Sequence, residues 1–381
     1  MKRRRVKLIS MMLAAAMGLT LMAGCGSSSD GTGETTSAAS SSDESSASQG
    51  EVMSSEEIIK KAAEDGKVSN WGIGNQYEIL ALLAKYDLPL DYLSEDFTMD
   101  AFDDDSSTLA SAMTYNELGL VKNDYDGGYG YGDSVGYIDM NDEGVAMLED
   151  NIFCTREFAE QNPETVKAFL YASIRGWEYA VEHPEEAAQI VYEAGSSVSQ
   201  DHQKYMASEV AKLVNTDMEG NTVTEIGKIN DDAMQQTLDI AKQYVTLDDS
   251  TAQEAFSALT LDDIRDSSYY DAAMASDGQF NVEKSEVSIQ LKWLPQAQFM
   301  GYYVADALGY YDEVGLTVNI VSGGGDISET TAVNNGTVDF GVTWPTNMAV
   351  ADAGGMDLVE VAQIYQRSGM TLVYKLDNFR K

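Results

Sequence analysis

The chain has 381 residues, with 63 Asp or Glu against 24 Lys or Arg, and a formal net charge of -39 at pH 7. Its length suggests two lobes or domains, and its hydrophobic content of 44% is enough for a sizeable core. So acidic a surface repels phosphate backbones, which argues against a nucleic-acid partner and leaves solubility as its simplest explanation.

The N-terminus has the features of a secretory signal, which we assign to residues 1–24. Residues 1–7 carry five basic side chains and no acid, and the apolar stretch Leu8–Met22 is shorter than the roughly 20 residues that span a bilayer. The small pair Ala23-Gly24 directly before Cys25 resembles a bacterial lipobox, in which the cysteine is acylated and becomes the mature N-terminus. We therefore predict lipidation of Cys25 and attachment to a membrane through this lipid anchor. A plain signal peptide or an anchor helix is the alternative.

Residues 25–53 are predicted to be a disordered, Ser/Gly-rich tether. They contain almost no large apolar side chains, so they cannot bury enough surface to fold. Such a segment would hold a folded domain away from the membrane. With Cys25 lipidated, the second cysteine, Cys154, has no partner and is expected to be a buried free thiol.

Residues 54–275 form the first folded block, which begins with a strand over Lys67–Trp71. Asn75 stands where it can cap the next helix, with Glu78 three residues further on in the capping-box position. A long helix is predicted to begin at Pro163, and most of the later part of the block is predicted to be helical. Two short strands precede that helix: Ser134–Asp139 and Asn151–Thr155.

Residues 286–381 form the second block, separated from the first by a polar, glycine-containing linker at 276–285. A strand, a helix and a second strand follow one another here, and such a unit predicts a parallel sheet. These three elements are expected at Val287–Trp293, Phe299–Tyr310 and Leu316–Val321. Three further strands are expected at Thr337–Trp344, Leu358–Gln366 and Thr371–Lys375.

Several long motifs resemble one protein family. In the second block, QLKWLPQAQFMGYYVADALGYYDEVGL, the GGGD turn, NNGTVDFGVTW and QIYQRSGMTLVYK are similar to the first half of the bacterial thiamine-pyrimidine-precursor binding proteins. In the first block, SNWGIGNQYEILALLAKY, AMTYNEL and IDMNDEGVAMLEDNIFCTREFAEQNPE are similar to the second half of that family. The resemblance implies an α/β, two-lobed, periplasmic-binding-protein-like fold of type II, with a ligand cleft between lobes that close by a hinge motion.

The order of these motifs differs from that of the family, in which QLKW precedes NWGIGN. The chain therefore looks circularly permuted, with the old termini joined through Ala275–Glu286, and permutation is tolerated when termini lie close together. A fusion or assembly artefact is the alternative, and the single complete copy of each block argues against it. One lobe is expected to hold Ser285–Gln366 with helices from the middle of the chain. The other is expected to hold Lys67–Gln200 and the strand Thr371–Lys375.

Candidate ligand-binding residues occur at strand ends and helix starts, where open α/β sheets bind ligands. Trp293, Trp344 and Trp71 end predicted strands and could stack on a flat ring, although the alternation also allows Trp293 to be a core residue. Trp177, on an apolar helix stripe, is assigned to the core. The glycine-rich GGGD turn, at residues 323–326, offers backbone N–H groups that suit an anion or a polar ring edge. It could equally be a plain tight turn. The remaining candidates in the second block are Gln296, Gln298, Tyr302, Gly324, Gly325 and Asp326.

The first block supplies polar candidates. A carboxylate at Glu117 can pair with the ring N–H and the exocyclic amine of an aminopyrimidine, much as acidic side chains accept from base amino groups. Asn116 beside it could orient the ligand. Asp139 belongs to a second polar group, and both it and Glu117 could instead be solvated surface residues. Asn75 is a further candidate, although helix capping alone explains it.

These features together predict a substrate-binding lipoprotein of an ABC importer, anchored on the extracytoplasmic face of the bacterial cell membrane. Its expected partners are a small heteroaromatic ligand, first of all a thiamine pyrimidine precursor, and the ABC transporter permease. Riboflavin or a small sulfonate is the alternative ligand, and the protein is expected to be a monomer. No metal or cofactor is expected, because the chain has only two His residues and neither lies at ligand spacing from a Cys or the other His.

An enzyme is the alternative class, because the related eukaryotic thiamine pyrimidine synthases make the pyrimidine themselves. Those enzymes consume an active-site histidine and carry a cysteine-rich motif. In this chain His183 falls at a polar junction between helices and His202 is predicted to lie in an acidic loop. The sequence has no cysteine cluster and no nucleophile–base pattern. We therefore expect a binding protein.

Overall fold

The structure is a computed structural model that describes residues 50–196 and 198–381. The predicted signal peptide, Cys25 and nearly all of the predicted tether lie outside the described residues. Within the described part of the chain, no helix combines the length and the apolar character needed to cross a membrane.

Ten strands in the described residues form two five-stranded sheets. In chain order they are β1 (Val68–Asn70), β2 (Leu93–Ser94), β3 (Leu109–Met113), β4 (Val135–Asp139), β5 (Asn151–Thr155), β6 (Glu286–Gln290), β7 (Thr317–Val321), β8 (Phe340–Gly341), β9 (Leu358–Gln363) and β10 (Met370–Lys375).

The described residues also form sixteen α-helices and three short 3-10 helices, the latter at Gly132–Ser134, Ala297–Phe299 and Leu376–Phe379. The α-helices are α1 (Ser55–Glu64), α2 (Gln76–Lys85), α3 (Asp100–Asp103), α4 (Glu117–Lys122), α5 (Arg156–Gln161), α6 (Pro163–Glu182), α7 (Pro184–Glu193), α8 (Gln200–Asn215), α9 (Asp231–Tyr244), α10 (Ser250–Ala258), α11 (Leu261–Ile264), α12 (Ser268–Met274), α13 (Met300–Ala307), α14 (Tyr310–Glu313), α15 (Glu329–Asn334) and α16 (Pro345–Ala353).

Local sequence explains several helix boundaries. Ser54 and Glu57 form a capping box that starts α1. Pro163 occupies the first turn of α6, as predicted. The single helix predicted over Phe299–Tyr310 is instead α13 followed by α14, because Gly309 between them takes a left-handed conformation with φ of 78°.

The first sheet has the strand order β2-β1-β3-β10-β4. We call it, with residues 50–139 and 370–381, the first lobe. Strand β1 is parallel to both β2 and β3, whereas β10 is antiparallel to β3 and β4. The predicted pairing of Thr371–Lys375 in the lobe that contains Trp71 is thus present in the structure.

The second sheet has the order β7-β6-β8-β5-β9, and with residues 151–363 it forms the second lobe. Strand β6 is parallel to β7 and β8, and β5 is antiparallel to β8 and β9. The prediction that Lys67–Gln200 shares one lobe is therefore wrong for residues 151–200, which begin with β5. The first four residues of β5 are buried. The strand pairs on its two sides with β8 and β9, which lie almost 200 residues later in the sequence.

Two crossover segments connect the lobes, one between β4 and β5 and the other between β9 and β10. Glu149 joins them, because its Oε1 accepts hydrogen bonds from the Gly369 N–H at 2.8 Å and from the Ser368 hydroxyl at 3.2 Å. A mixed α/β chain with two sheets linked in this way is consistent with a two-lobed, periplasmic-binding-like fold.

Helices α6 and α13 pack closely in the second lobe. A Cβ atom added at Gly176 would lie 2.2 Å from the Gly301 carbonyl oxygen, so only glycine allows this approach. Trp177 is buried as predicted, and its ring meets Tyr302 edge to face at 5.6 Å between centroids. Tyr302 is therefore a core residue and not part of the cleft, contrary to our prediction.

Candidate functional site

A cleft between the two lobes is the main candidate site. It encloses roughly 900 Å³ of space between atoms, part of it open to solvent. Both lobes contribute to its walls, and most of the lining side chains are apolar. The lining residues are Trp71, Ile73, Asn75, Phe97, Met113, Tyr115, Asn116, Glu117 and Leu120 from the first lobe, and Val198, Lys292, Trp293, Leu294, Gln296, Gln298 and Trp344 from the second.

The cleft lies at the carboxyl ends of parallel strands. Strands β1 and β3 end just before its residues in the first lobe, and β6 and β8 end just before those in the second. Open α/β sheets place their ligands at this edge, because the loops that follow the strands converge there. Strand β6 ends at Gln290, three residues earlier than predicted, so Trp293 leaves the sheet and reaches the cleft.

Aromatic side chains form much of the cleft wall. The rings of Phe97 and Trp293 come from different lobes and meet at 4.9 Å between centroids with an angle of 58° between their planes. Trp344 is buried and donates its indole N–H to Asp150 at 3.0 Å. The indole N–H of Trp71 has no partner among the described residues. Such walls suit a flat ring that stacks between aromatic faces.

Glu117 is the buried carboxylate of the cleft, at the start of α4. Its Oε2 accepts a hydrogen bond from the Met113 N–H at 3.0 Å, and its Oε1 accepts one from the Asn116 amide at 2.7 Å. Burial raises the pKa of Glu117 to about 7, although these hydrogen bonds oppose the rise. The backbone N–H of Glu117 also lowers this pKa through a hydrogen bond. An ionised carboxylate has about four acceptor positions in all, so a ligand donor can still bind here.

His202 supports this carboxylate through Asn116. We predicted an acidic loop for His202, but it is buried within α8, where its Nε2 lies 2.8 Å from Asn116 Oδ1 and its Nδ1 lies 2.6 Å from the Tyr125 hydroxyl. Burial lowers the pKa of His202 to about 4, so the ring is neutral near pH 7. Because Asn116 Oδ1 can only accept, Nε2 carries the proton and Nδ1 accepts from Tyr125.

The second lobe contributes a buried cation to the cleft. The Nζ of Lys292 lies 3.0 Å from Glu329 Oε1 and 4.5 Å from the centroid of the Trp344 ring. The hydroxyl of Thr343 donates to the same Glu329 oxygen. The charge of Lys292 is therefore already balanced by a carboxylate before any ligand arrives.

A chain of hydrogen bonds fixes the side chains of Gln296 and Gln298. The Gln296 amide donates to Gln298 Oε1 at 2.7 Å, and the Gln298 amide donates to Asp150 Oδ2 at 2.8 Å. Burial raises the pKa of Asp150 to about 6, and the bond from Gln298 opposes the rise. Both glutamines line the cleft, as predicted, and their orientation is set by Asp150.

Asn75 does not cap α2 through its side chain, so our capping-box prediction is wrong. Glu78 instead accepts a hydrogen bond from the Met147 N–H at 2.7 Å, in the first crossover segment. The side chain of Asn75 is buried, and neither its Oδ1 nor its Nδ2 has a partner among the described residues. Both atoms are thus available to a ligand.

Four other predicted site residues do not line the cleft. Asp139 pairs with Arg367 at 3.2 Å beside the second crossover, where it serves the connection between the lobes. The glycine-rich turn lies at the cleft mouth, with Gly325 beside the rings of Trp293 and Phe97. Asp326 is exposed and Gly324 has φ of 148°, which favours glycine for conformational reasons alone.

The sequence reasoning missed several lining residues. Phe97 lies in an irregular polar stretch after β2, and nothing in its local pattern indicates a cleft residue. Lys292 stands next to Trp293 in the QLKW motif, so its position after a strand is a signal that could have found it. No group of three or more His, Cys, Asp or Glu within residues 50–196 and 198–381 is arranged to hold a metal ion.

The fold and the cleft define a two-lobed α/β protein with a candidate site for a small ligand between its lobes. The model of the family described as NMT1/THI5 like matches residues 96–187 and 296–379, which include Glu117, Gln298 and Trp344. No curated protein matches the chain. The family match suggests a substrate-binding or thiamine-precursor-related role.

Proposed function

We propose that the protein is the extracytoplasmic substrate-binding protein of an ABC importer and that it captures an aminopyrimidine, a thiamine pyrimidine precursor, between its lobes. The observation that carries the proposal is the position of Glu117, a buried carboxylate at the edge of an aromatic cleft. Stacking holds the flat ring and is tolerant of its identity. The remaining acceptor capacity of the Glu117 carboxylate suits donors such as a ring N–H and an exocyclic amine.

The charges around the cleft favour a neutral or cationic ligand. Among the described residues, three carboxyl groups lie in or beside the cleft, those of Glu117, Asp150 and Glu329, against one ammonium, that of Lys292. A sulfonate would bring a further negative charge into this buried surrounding, where an unpaired charge is costly. This argues against the sulfonate alternative and leaves riboflavin as the comparison ligand.

We infer a binding protein and not a pyrimidine synthase. A histidine consumed in a reaction has to be reachable, and both ring nitrogens of His202 already take part in hydrogen bonds inside the protein. His183 is the residue between α6 and α7, at the polar junction predicted from the sequence. Cys154 is a buried free thiol within β5 and not part of a cysteine cluster in the described residues.

Circular permutation of a type II periplasmic-binding-protein fold is part of this proposal. Two observations support it besides the motif order. Residues 276–285 contain no helix or strand and are mostly exposed. Val52 and Arg380 form an antiparallel bridge, and the Lys381 N–H donates to the Glu51 carbonyl at 2.8 Å, so the two ends of the described fold lie side by side.

The experiment that tests the proposed function combines identification with titration. Native mass spectrometry of the purified protein should reveal a co-purifying aminopyrimidine. Calorimetry should then show that an aminopyrimidine binds more tightly than riboflavin or a small alkyl sulfonate. Tighter binding of riboflavin or of the sulfonate would reject the aminopyrimidine assignment, and turnover of the bound compound would reject the binding-protein assignment.

A further inference from the structure

Helix α8 is connected to both walls of the cleft through two consecutive side chains. His202 Nε2 donates to Asn116 Oδ1 at 2.8 Å, on the first-lobe wall. Gln203 Oε1 accepts from the Ala297 N–H at 2.8 Å, and Ala297 lies between the two glutamines of the second-lobe wall. His202 is 1% exposed and Gln203 is fully buried. The separation of the two walls therefore depends on α8.

Helix α8 belongs to the second lobe, where it packs on α6, α7 and the 3-10 helix Ala297–Phe299. Near its C-terminal end, the Leu213 carbonyl accepts from the Gln366 N–H of the second crossover segment at 3.0 Å. His202 lies roughly 16 Å further along the helix axis, since each residue rises about 1.5 Å. When two lobes move about their crossover segments, the parts next to those segments shift least. Opening therefore separates the N-terminal half of α8 from the first lobe.

Three hydrogen bonds between described residues join this half of α8 to the first lobe. Besides the bond to Asn116, His202 accepts from the Tyr125 hydroxyl at Nδ1 over 2.6 Å, and the Tyr205 hydroxyl donates to the Thr114 carbonyl over 2.8 Å. All of these groups are neutral, and water can replace either partner when such a bond breaks, so the net cost of breaking it is small. The contact can therefore open and re-form, unlike a hydrophobic core.

Gly119 of α4 allows α8 to approach this closely. A Cβ atom added at Gly119 would lie 2.2 Å from the Tyr205 ring. Gly119 lies inside a helix and does not have a positive φ, so its backbone conformation does not require glycine. The close approach of the two lobes does require it. The contact lies two residues after Glu117, which places it directly beside the ligand-binding carboxylate.

We propose that α8 is a latch, in which His202 and Tyr205 hold the two lobes together around a ligand. The lobes open when these side chains leave residues 114–125 of the first lobe. Because the Asn116 amide also donates to Glu117, closing the latch orients the carboxylate that binds the ligand. His202 is thus a positioning residue that acts through Asn116. This inference rests on the proposed function, since it assigns a means of closure to the same cleft.

Distances between spin labels on the two lobes test the latch without any ligand. The labels are placed at Glu64→Cys on α1 and Glu185→Cys on α7, both exposed helix positions. His202→Phe removes two of the three bonds, and Gly119→Ala forces α4 and α8 apart. We expect both changes to shift the distance distribution of the free protein towards longer distances. Ser208→Ala, an exposed change on α8, is the control and should leave the distribution unchanged.

Stopped-flow binding of an aminopyrimidine provides the second measurement. His202→Phe and Gly119→Ala should raise the dissociation rate on the order of tenfold and change the association rate little, because the latch acts after the ligand has entered. Glu117→Gln should also raise the dissociation rate, but it should leave the label distance of the free protein unchanged. This difference separates the latch from direct contact with the ligand.

Unchanged label distances and dissociation rates in both His202→Phe and Gly119→Ala would overturn the latch and leave the proposed function intact. Thermal unfolding checks that each variant is folded, and Gly119→Ala introduces the better helix former. If the aminopyrimidine does not bind wild-type protein, the proposed function fails. The label distances of the free proteins then decide about the latch by themselves. Cys154 is buried in β5, so it does not take up the label.

Discussion

At the scale of single residues, the chemistry of the cleft depends on which polar atoms already have partners. Glu117 is held in place by Met113 and Asn116, and Asn116 is held in turn by His202 from the other lobe. Its carboxylate is therefore oriented before a ligand arrives, which reduces the cost of binding. Because His202 lies on α8 of the second lobe and Asn116 in the first, this orientation also depends on contact between the lobes.

Selectivity should depend on Glu117 and general affinity on Trp293. In Glu117→Gln the new amide nitrogen must face either the Met113 N–H or the Asn116 amide, both of which are donors. We expect aminopyrimidine binding to weaken roughly tenfold to a hundredfold and riboflavin binding to change little. Trp293→Ala should weaken both ligands by roughly 1–3 kcal/mol, because stacking does not distinguish rings. Calorimetry on both variants checks this, and equal losses for both ligands in Glu117→Gln would contradict it.

At the scale of elements, close contact between helices places the second lobe's residues. Helix α13 follows the cleft segment that contains Gln296 and Gln298, and it packs on α6 through Gly176 and Gly301. An added Cβ at Gly301 would lie 2.2 Å from the Trp177 ring. The position of the cleft wall therefore depends on two residues that have no side chain.

Gly176→Ala should destabilise the protein although alanine is the better helix former. Its Cβ would lie 2.2 Å from the Gly301 carbonyl and 2.7 Å from the Ala305 Cβ, so the helices must move apart. We expect the free energy of unfolding to fall by about 1–3 kcal/mol, as for other overpacked sites. Chemical denaturation measures this. Glu178→Ala, an exposed change on the same helix, is the control and should have little effect. A Gly176→Ala protein with an unchanged free energy of unfolding would show that α6 and α13 have room for the added methyl group.

At the scale of the whole molecule, acidity is the dominant property. The chain carries a formal net charge of -39, yet several carboxyl groups are buried. Burial raises the pKa of Glu78, Glu95 and Glu360 to about 8 and that of Glu117 to about 7. The folded protein thus holds protons that the unfolded chain, with an ordinary value of 4.5, has released.

Stability should therefore fall as the pH rises. Raised carboxyl pKa values stabilise the fold fully below pH 4.5, and this stabilisation is lost as the pH rises towards about 8. His202 acts in the opposite direction, but only between its ordinary pKa of 6.5 and its lowered value of about 4. The midpoint of thermal unfolding should be higher at about pH 6.5 than at about pH 8.5. Glu78→Gln should make this difference smaller, and a midpoint that rises with pH would contradict the argument.

Membrane attachment should depend on Cys25 alone. Cys25 and its signal lie outside the described residues, so the prediction rests on the sequence before it. Cys25→Ser should leave the protein unprocessed or release it from the membrane fraction. Cys154→Ala, which changes the buried cysteine of β5, should leave fractionation unchanged. A Cys25→Ser protein that is processed and anchored normally would rule out the lipobox.

A rearranged chain should fold if the permutation is correct. Joining residue 381 to residue 50 through a short linker and opening the chain within 276–285 restores the family order of the motifs. The Val52–Arg380 bridge already brings the joined ends together. We expect one cooperative unfolding transition and ligand affinity within a few-fold of the original. Opening the chain inside β5 is the control and should prevent folding, because that strand is buried between β8 and β9. A rearranged chain that is as unfolded as this control would reject the permutation.

The sequence by itself determined the local features of this protein. Alternating and 3.6-residue patterns located most strands and helices. Positions at strand ends and helix starts singled out Trp71, Trp293, Trp344 and Glu117, all of which line one cleft. The periodicity of apolar residues and the ends of strands depend on residues that are neighbours in the chain, so one sequence is enough to predict them. The pairing of β10 inside the lobe that contains Trp71 followed from the motif order, because the family resemblance supplied the long-range information.

Only the tertiary structure decided the features that depend on residues far apart in the chain. Strand β5 joins the second lobe because its partners are β8 and β9, and Tyr302 belongs to the core because Trp177 of another helix covers it. His202 is a buried support of Asn116, and the Asn75 amide has no partner among the described residues, because hydrogen-bond partners are assigned by folding and not by spacing. A local pattern fixes which side of an element is apolar, but burial of a polar atom depends on what the rest of the chain places against it.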